Sequence, residues 1–312
     1  MVQRTAFEPK GVIPASLLPF KEDLSIDEAA YRSHLDDLAG VRGVTAITVN
    51  AHAAEVSSCT FDEQERLLAL SVEHLAGRLP LVCGIYSESS MEAARLARMA
   101  ERKGASAILV FPPFIFSRGA RLRPEMAVCH YQAIASATEL PLVIFQYALS
   151  GIGYGLETLQ RLVETVPTIC AIKDFCGEPA FHEKTIRVLR NEARRPISIL
   201  TTHSSWLLSS LVLGCDGLLS GSGSTIAPLQ VELFEAVRDD DMPRARAVAD
   251  RIYHWTRVIY TDPHVDAHSR MKEALVMLGR LPRATVRPPL LQIPDRERLL
   301  IRDGLRAAGL LA

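Results

Sequence analysis

Eight short β-rich runs, at residues 11–18, 44–50, 81–86, 107–111, 142–147, 169–174, 197–202 and 217–220, recur along the first two-thirds of this chain. Amphipathic helical stretches separate them, among them 25–39, 60–75, 91–103 and 156–165. Near-continuous apolar strands alternating with helices imply a parallel sheet covered on both faces. Eight such units predict an α/β fold, a closed (β/α)8 TIM barrel, whose usual size is about 250 residues. An open doubly wound sheet is the competitor, but no Gly-x-Gly-x-x-Gly follows the first run. From about Pro228 the pattern turns helical, through 232–237, 242–260, 268–278 and 294–308. The expected division is a barrel over 1–230 and a C-terminal helical segment over 231–312 packed on it. Ser25, Thr60 and Ser90 are the candidate helix N-caps, with Gln64 adding a loose capping signal beside Thr60.

Composition narrows the class of function. Of 312 residues, 48% are hydrophobic and 23% charged, the balance of a soluble globular protein. A formal net charge of −1 supplies no basic field for nucleic acid or an anionic membrane. The first residues lack the apolar core of a signal peptide and no apolar stretch is long enough to span a bilayer, so a cytoplasmic location is expected. Cysteines 59, 83, 129, 170, 176 and 215 are scattered singly, without a Cys-x-x-Cys pair. That favours reduced thiols over a disulfide scaffold or a zinc module.

The chain has six lysines among 35 basic residues, and one of them, Lys173, sits in the apolar run Ile-Cys-Ala-Ile-Lys-Asp. A lysine at the end of a buried strand must be paired or lose its proton. Desolvation frees the amine lone pair to attack a carbonyl. The alternative is a buried ion pair with Asp174 or another acid.

In a barrel of this kind the C-terminal strand ends face the active site. Those ends carry Asn50 to Glu55, Tyr86-Ser87, Phe111 to Phe114, Phe145 to Tyr147, Lys173-Asp174, Thr201 to Ser204 and Ser220 to Ser224. One lysine, two histidines, two tyrosines and several hydroxyls suit carbonyl chemistry through an imine. Metal chemistry fits less well: His52 and Glu55 lie on a loop without an obvious third ligand. The run His264-Val265-Asp266-Ala267-His268 reads as a polar loop in preference to a metal site. Ser-Gly-Ser-Gly-Ser after the last strand reads as a loop approaching substrate backbone-first, with phosphate binding the lesser alternative.

Over nearly its whole length the chain resembles the dihydrodipicolinate synthase / N-acetylneuraminate lyase family of class I aldolases. The matching pieces are residues 11–20 with Pro19-Phe20, the loop at 51–55, residues 141–147, Ile172-Lys173-Asp174, and 214–220 with Cys215-Asp216-Gly217. Met271-Lys272-Glu273-Ala274-Leu275 and Arg287-Pro288-Pro289 complete them. The resemblance implies a Schiff base between Lys173 and a 2-oxo acid such as pyruvate, no cofactor or metal, and a homotetramer built from dimers.

The departures are as informative. The family's hydroxyl-bearing loop after the second strand reads here Ala51-His52-Ala53-Ala54-Glu55, so both hydroxyls are missing. The family's acid/base tyrosine corresponds to Phe145, its relay tyrosine falls near Phe114, and 148–153 lacks the synthase arginine. The expectation is a lyase on a 2-oxo acid that is not a dihydrodipicolinate synthase, or else a catalytically altered barrel that binds a small carbonyl or carboxylate ligand. Lys173, His52 and Tyr147 are the expected catalytic groups. Ala53, Phe145, His203, Leu219, Ser220 and Gly221 are the expected substrate contacts.

Overall fold

The computed structural model describes residues 7–147 and 151–312. Eight strands run parallel in one sheet: β1 (Gly11–Pro14), β2 (Ile47–Val49), β3 (Leu81–Ile85), β4 (Ala107–Val110), β5 (Leu142–Tyr147), β6 (Ile169–Phe175), β7 (Ser198–Thr201) and β8 (Gly217–Ser220). The ladder runs from β2 through β8 to β1, and bridges Val12 to Val44 and Ala15 to Thr48 bring β1 and β2 together. Helices α1 (Glu28–Ala39), α2 (Phe61–Leu75), α3 (Ser90–Arg102), α4 (Pro124–Ala135), α5 (Leu156–Thr165), α6 (Pro179–Asn191), α7 (Leu207–Val212) and α8 (Gly223–Arg238) follow the strands in turn. This is the (β/α)8 barrel anticipated from the strand count.

Several elements are shorter than their apolar runs. The first strand ends at Pro14 and the second spans only Ile47–Val49, with single bridges at Ala15 and Val44 outside them. The residues beyond are buried loop, apolar for packing without belonging to the ladder. Helix starts also move. Thr60 caps α2, but its reciprocal partner is Glu63, which accepts from the Thr60 N–H at 2.9 Å, and not Gln64. Asp27 caps α1 and Ser89 caps α3, one or two residues from the expected Ser25 and Ser90. Each of these carries its oxygen three residues ahead of the N–H it accepts from, the spacing a cap requires.

Strand alternation builds two cores. Ile13, Ala46, Val82, Leu109, Val143, Ala171, Leu200 and Leu219 fill the barrel interior, while the larger cluster lies between sheet and helices. Where β1 meets β8 the backbones approach so closely that a Cβ on Gly217 would stand 2.1 Å from the Gly11 carbonyl oxygen. Only glycine allows that seam.

Helices α9 (Met242–Ile259), α10 (Ala267–Met277) and α11 (Asp295–Ala307) complete the chain. Trp255 of α9 is fully buried. Arg270 of α10, also fully buried, donates to the carbonyls of Ile259, Thr261 and Pro263 and to Glu297 at 2.6 Å. That one guanidinium fixes the loop that carries His264 over the barrel mouth.

Candidate active site

A cavity of about 380 Å³ opens at the C-terminal ends of the strands. Lys173, His52, Tyr147, Phe145, Ala53 and Gly221 line it, from β6, β5 and the loops after β2 and β8. Six of the nine residues expected at the site are therefore together. His203, Leu219 and Ser220 are not on its wall. Leu219 belongs to the packed barrel interior, and the Ser220 hydroxyl donates to Ser222 Oγ at 3.0 Å. His203 is buried and stacks on Trp206, ring centroids 3.8 Å apart.

Lys173 follows Ala171 onto the interior face of β6, while Asp174 falls on the opposite face. Adjacent positions on a strand cannot share a face, so the alternative ion pair with Asp174 does not form. The Asp174 carboxylate lies against His182 Nδ1 instead, 2.7 Å away. Lys173 Nζ lies 4.0 Å from the centroid of the Phe145 ring, and burial alone pulls its pKa from the usual lysine range to about 7.

His52 sits in a nest of rings. Its centroid is 4.5 Å from Phe111, 5.3 Å from Tyr147 and 6.0 Å from Phe145. Burial lowers its pKa to about 3, with the charges on His268 and Lys173 adding to the effect. The imidazole is neutral at physiological pH and does not titrate near 7 as an unperturbed histidine would. Burial raises the Tyr147 phenol above its ordinary range, so it stays protonated.

Residues from the C-terminal segment close the mouth, and sequence reasoning did not place them there. His264 stacks with Phe175 and Tyr260, centroids 6.3 and 5.7 Å away. His268 and Met271, on consecutive turns of α10, line the cavity, and burial lowers the His268 pKa to about 4. The run 264–268 is thus a short turn leading into a helix, with both histidines turned toward Lys173's cavity. Its three-to-four residue spacing was the available signal.

The loop after β2 is held from the same segment. Lys272 of α10, fully buried, donates to the Glu55 carboxylate and, at 2.8 Å, to the Thr285 carbonyl. The other Glu55 oxygen accepts from the Arg287 N–H at 2.9 Å. Glu55 has φ 51°, the left-handed region, and these bonds offset that strain. The Arg287 guanidinium borders the cavity, yet both ends of it are taken up by Glu63, at 2.6 and 2.9 Å.

The serines after β8 are committed to structure. Ser222 Oγ bonds to Ser204 Oγ at 2.6 Å and Tyr260 Oη at 2.8 Å, and Ser224 Oγ donates to the Ala15 carbonyl at 2.7 Å. That leaves the loop to meet the cavity through Gly221, as the backbone-first reading expected. Phe114, which replaces the relay tyrosine, is half exposed and off the cavity wall. Part of the loop after β5 (148–150) lies outside the described residues.

Comparison with known proteins agrees with this geometry. The model of the dihydrodipicolinate synthetase family matches residues 8–308. The chain is 28% identical over 303 residues to the 4-hydroxy-tetrahydrodipicolinate synthase of Bartonella bacilliformis, covering 97% of this chain and 99% of that one. It is 28% identical over 309 residues to the enzyme of the same name from Methanopyrus kandleri, with 98% of each chain covered. Among solved structures, dihydrodipicolinate synthase from Aquifex aeolicus superposes with a TM-score of 0.86 at 24% identity, covering 97% of this chain and 99% of that one. The chain belongs to the dihydrodipicolinate synthetase family and is a lyase.

Proposed function

We propose that the protein is a class I lyase that acts on a 2-oxo acid of the pyruvate type through an imine on Lys173. The observation that carries this reading is the isolation of the Lys173 amine. It faces the cavity over an aromatic ring, without a carboxylate partner among the described residues, and burial brings its pKa to about 7. A neutral fraction of the amine at physiological pH attacks the C2 carbonyl to give a carbinolamine. Loss of water leaves the protonated imine, which accepts the electron pair when a C3 proton departs or a bond beyond C3 breaks. His52 takes up and returns the proton, assisted by Tyr147, in place of the phenol that Phe145 lacks. Ala53, Phe145 and Gly221 are the substrate contacts in this reading.

The reaction differs from dihydrodipicolinate synthesis. Phe145 cannot relay a proton, and the apolar wall of Phe145, Phe175 and Met271 suits a less polar partner for the 2-oxo acid. A homotetramer built from dimers, working with reduced thiols in the cytoplasm, accompanies this reading on the family resemblance.

Pyruvate in D2O tests it directly. Imine and enamine formation exchange the methyl protons, read as loss of the methyl proton signal in NMR. Exchange under catalysis by the protein, absent in Lys173→Ala, supports the reading. Stabilisation by pyruvate without exchange, across longer 2-oxo acids too, contradicts it and favours a binding protein.

A further inference from the structure

On the outer side of the barrel wall, behind Lys173, four donor side chains converge. Asp174 lies at the end of β6, Cys176 just beyond it, His203 after β7 and His182 on α6. One donor atom from each lies within 4.8 Å of the others. Asp174, His182 and His203 are buried and Cys176 half-buried, and none of the four lines the cavity.

Donor and acceptor directions around this cluster leave two lone pairs facing each other. The Gly177 N–H donates to His203 Nε2 at 3.3 Å, a long bond that an ion would displace, so that nitrogen carries no hydrogen and Nδ1–H donates to Thr201 Oγ1 at 3.1 Å. The Ser210 hydroxyl donates to Thr201 Oγ1 at 2.7 Å. Ser210 Oγ therefore accepts from His182 Nε2–H, 2.6 Å away. With its proton on Nε2, the His182 ring is bare at Nδ1, and that nitrogen lies 2.7 Å from Asp174 Oδ2. Two acceptors at this distance repel unless a positive charge stands between them.

We propose that Asp174, Cys176, His182 and His203 hold a divalent cation of the zinc class in a closed, four-ligand structural site. A thiolate and an imidazole on tetrahedral zinc stand about 3.6 Å apart. Cys176 Sγ and His203 Nε2 are 3.6 Å apart. His182 Nδ1 and the Asp174 oxygen open to about 3.3 Å when the ion enters, a shift of a few tenths of an ångström. Charge balances: the thiol proton is released to solvent, and one thiolate and one carboxylate offset the ion while both imidazoles stay neutral. The second nitrogen of each ring already bonds to a hydroxyl, Ser210 or Thr201, which orients a ligating histidine. With four protein ligands no position is left for substrate, so the ion clamps the end of β6, one residue past Lys173, to β7 and α6.

Cobalt titration of the full chain, stripped with a chelator, tests the site. The expected result is uptake with a thiolate-to-metal band in the near ultraviolet, displaced by zinc, and a higher melting temperature with zinc. Cys176→Ser is expected to lose the band. His203→Asn is expected to bind zinc about a hundredfold more weakly or worse, with an unchanged far-ultraviolet spectrum. Absence of uptake at micromolar metal overturns the proposal and leaves a proton, as an imidazolium, between His182 and Asp174. Uptake without a sulfur band in the unmodified chain places the ion at the cavity histidines and also overturns it. The unmodified chain decides the matter even if a variant fails to fold.

Discussion

The Nζ of Lys173 stands 4.0 Å from the centroid of the Phe145 ring, inside the barrel, while the carboxylate of the next residue points out of it. Phe145 and Lys173 are paired neighbours on β5 and β6, so the ring is a fixed floor for the amine. An aromatic face attracts an ammonium weakly, far less than an acid in the same place would. The pair therefore keeps the lysine oriented while leaving it able to lose its proton.

A stability cost follows from that placement. The folded-state pKa is about 7 against an ordinary lysine value of 10.5. Between these values the unfolded chain binds more protons, so stability rises with pH across that window. Below pH 7 the ammonium is buried charged and the cost is full. Lys173→Met is therefore expected to stabilise the protein, by ~1–3 kcal/mol at pH 6, and by less at pH 9. Urea unfolding at the two pH values checks this, and an equal effect at both would contradict it.

His52 is predicted to act after the imine has formed. His52→Ala should lower pyruvate methyl exchange by ~10²- to 10⁴-fold while leaving the amount of imine unchanged. Tyr147→Phe should cost less. Since burial sets the His52 pKa at about 3, activity should show no loss attributable to imidazole protonation between pH 5 and 8. Its rise with pH should instead follow Lys173, through about 7. Full exchange in His52→Ala would assign the proton transfer elsewhere, with His268 the next group on the wall.

The buried Glu55–Lys272 pair joins α10 to the loop that carries His52 and Ala53. Glu55→Gln leaves an ammonium buried with one carbonyl for a partner, an expected loss of ~3–5 kcal/mol. Replacing both partners with apolar residues should recover most of it. Urea midpoints of the single and double variants measure this. An additive double variant would show that the two charges do not act together.

How far the sequence reaches is set by which signals are local. Strand count, strand order and the direction of Lys173 follow from apolar periodicity and alternation, which need nothing beyond a few neighbouring residues. The same alternation, applied to Asp174, would have ruled out its pairing with Lys173. The roles of Lys272, His264 and His268 depend on where α10 docks, more than 200 residues after the loop that contains Glu55. Nothing in the residues around Lys272 marks it as buried, because its burial comes entirely from that docking. His203 reads as a mouth residue because it follows a strand end, but Trp206, three residues later and within one turn, stacks on the ring and holds it against the outer wall. Burial also decides the charge state of His52, and no sequence signal carries the enclosure by Phe111 and Tyr147.

The most direct measurement is borohydride reduction of the protein with pyruvate, followed by peptide mass spectrometry. An imine reduced in place adds the carbon skeleton of the 2-oxo acid irreversibly to one amine. The expected result is a single adduct on Lys173, forming faster as pH rises through about 7, and absent from Lys173→Ala. An unmodified Lys173 after reduction with pyruvate and with longer 2-oxo acids would contradict the account.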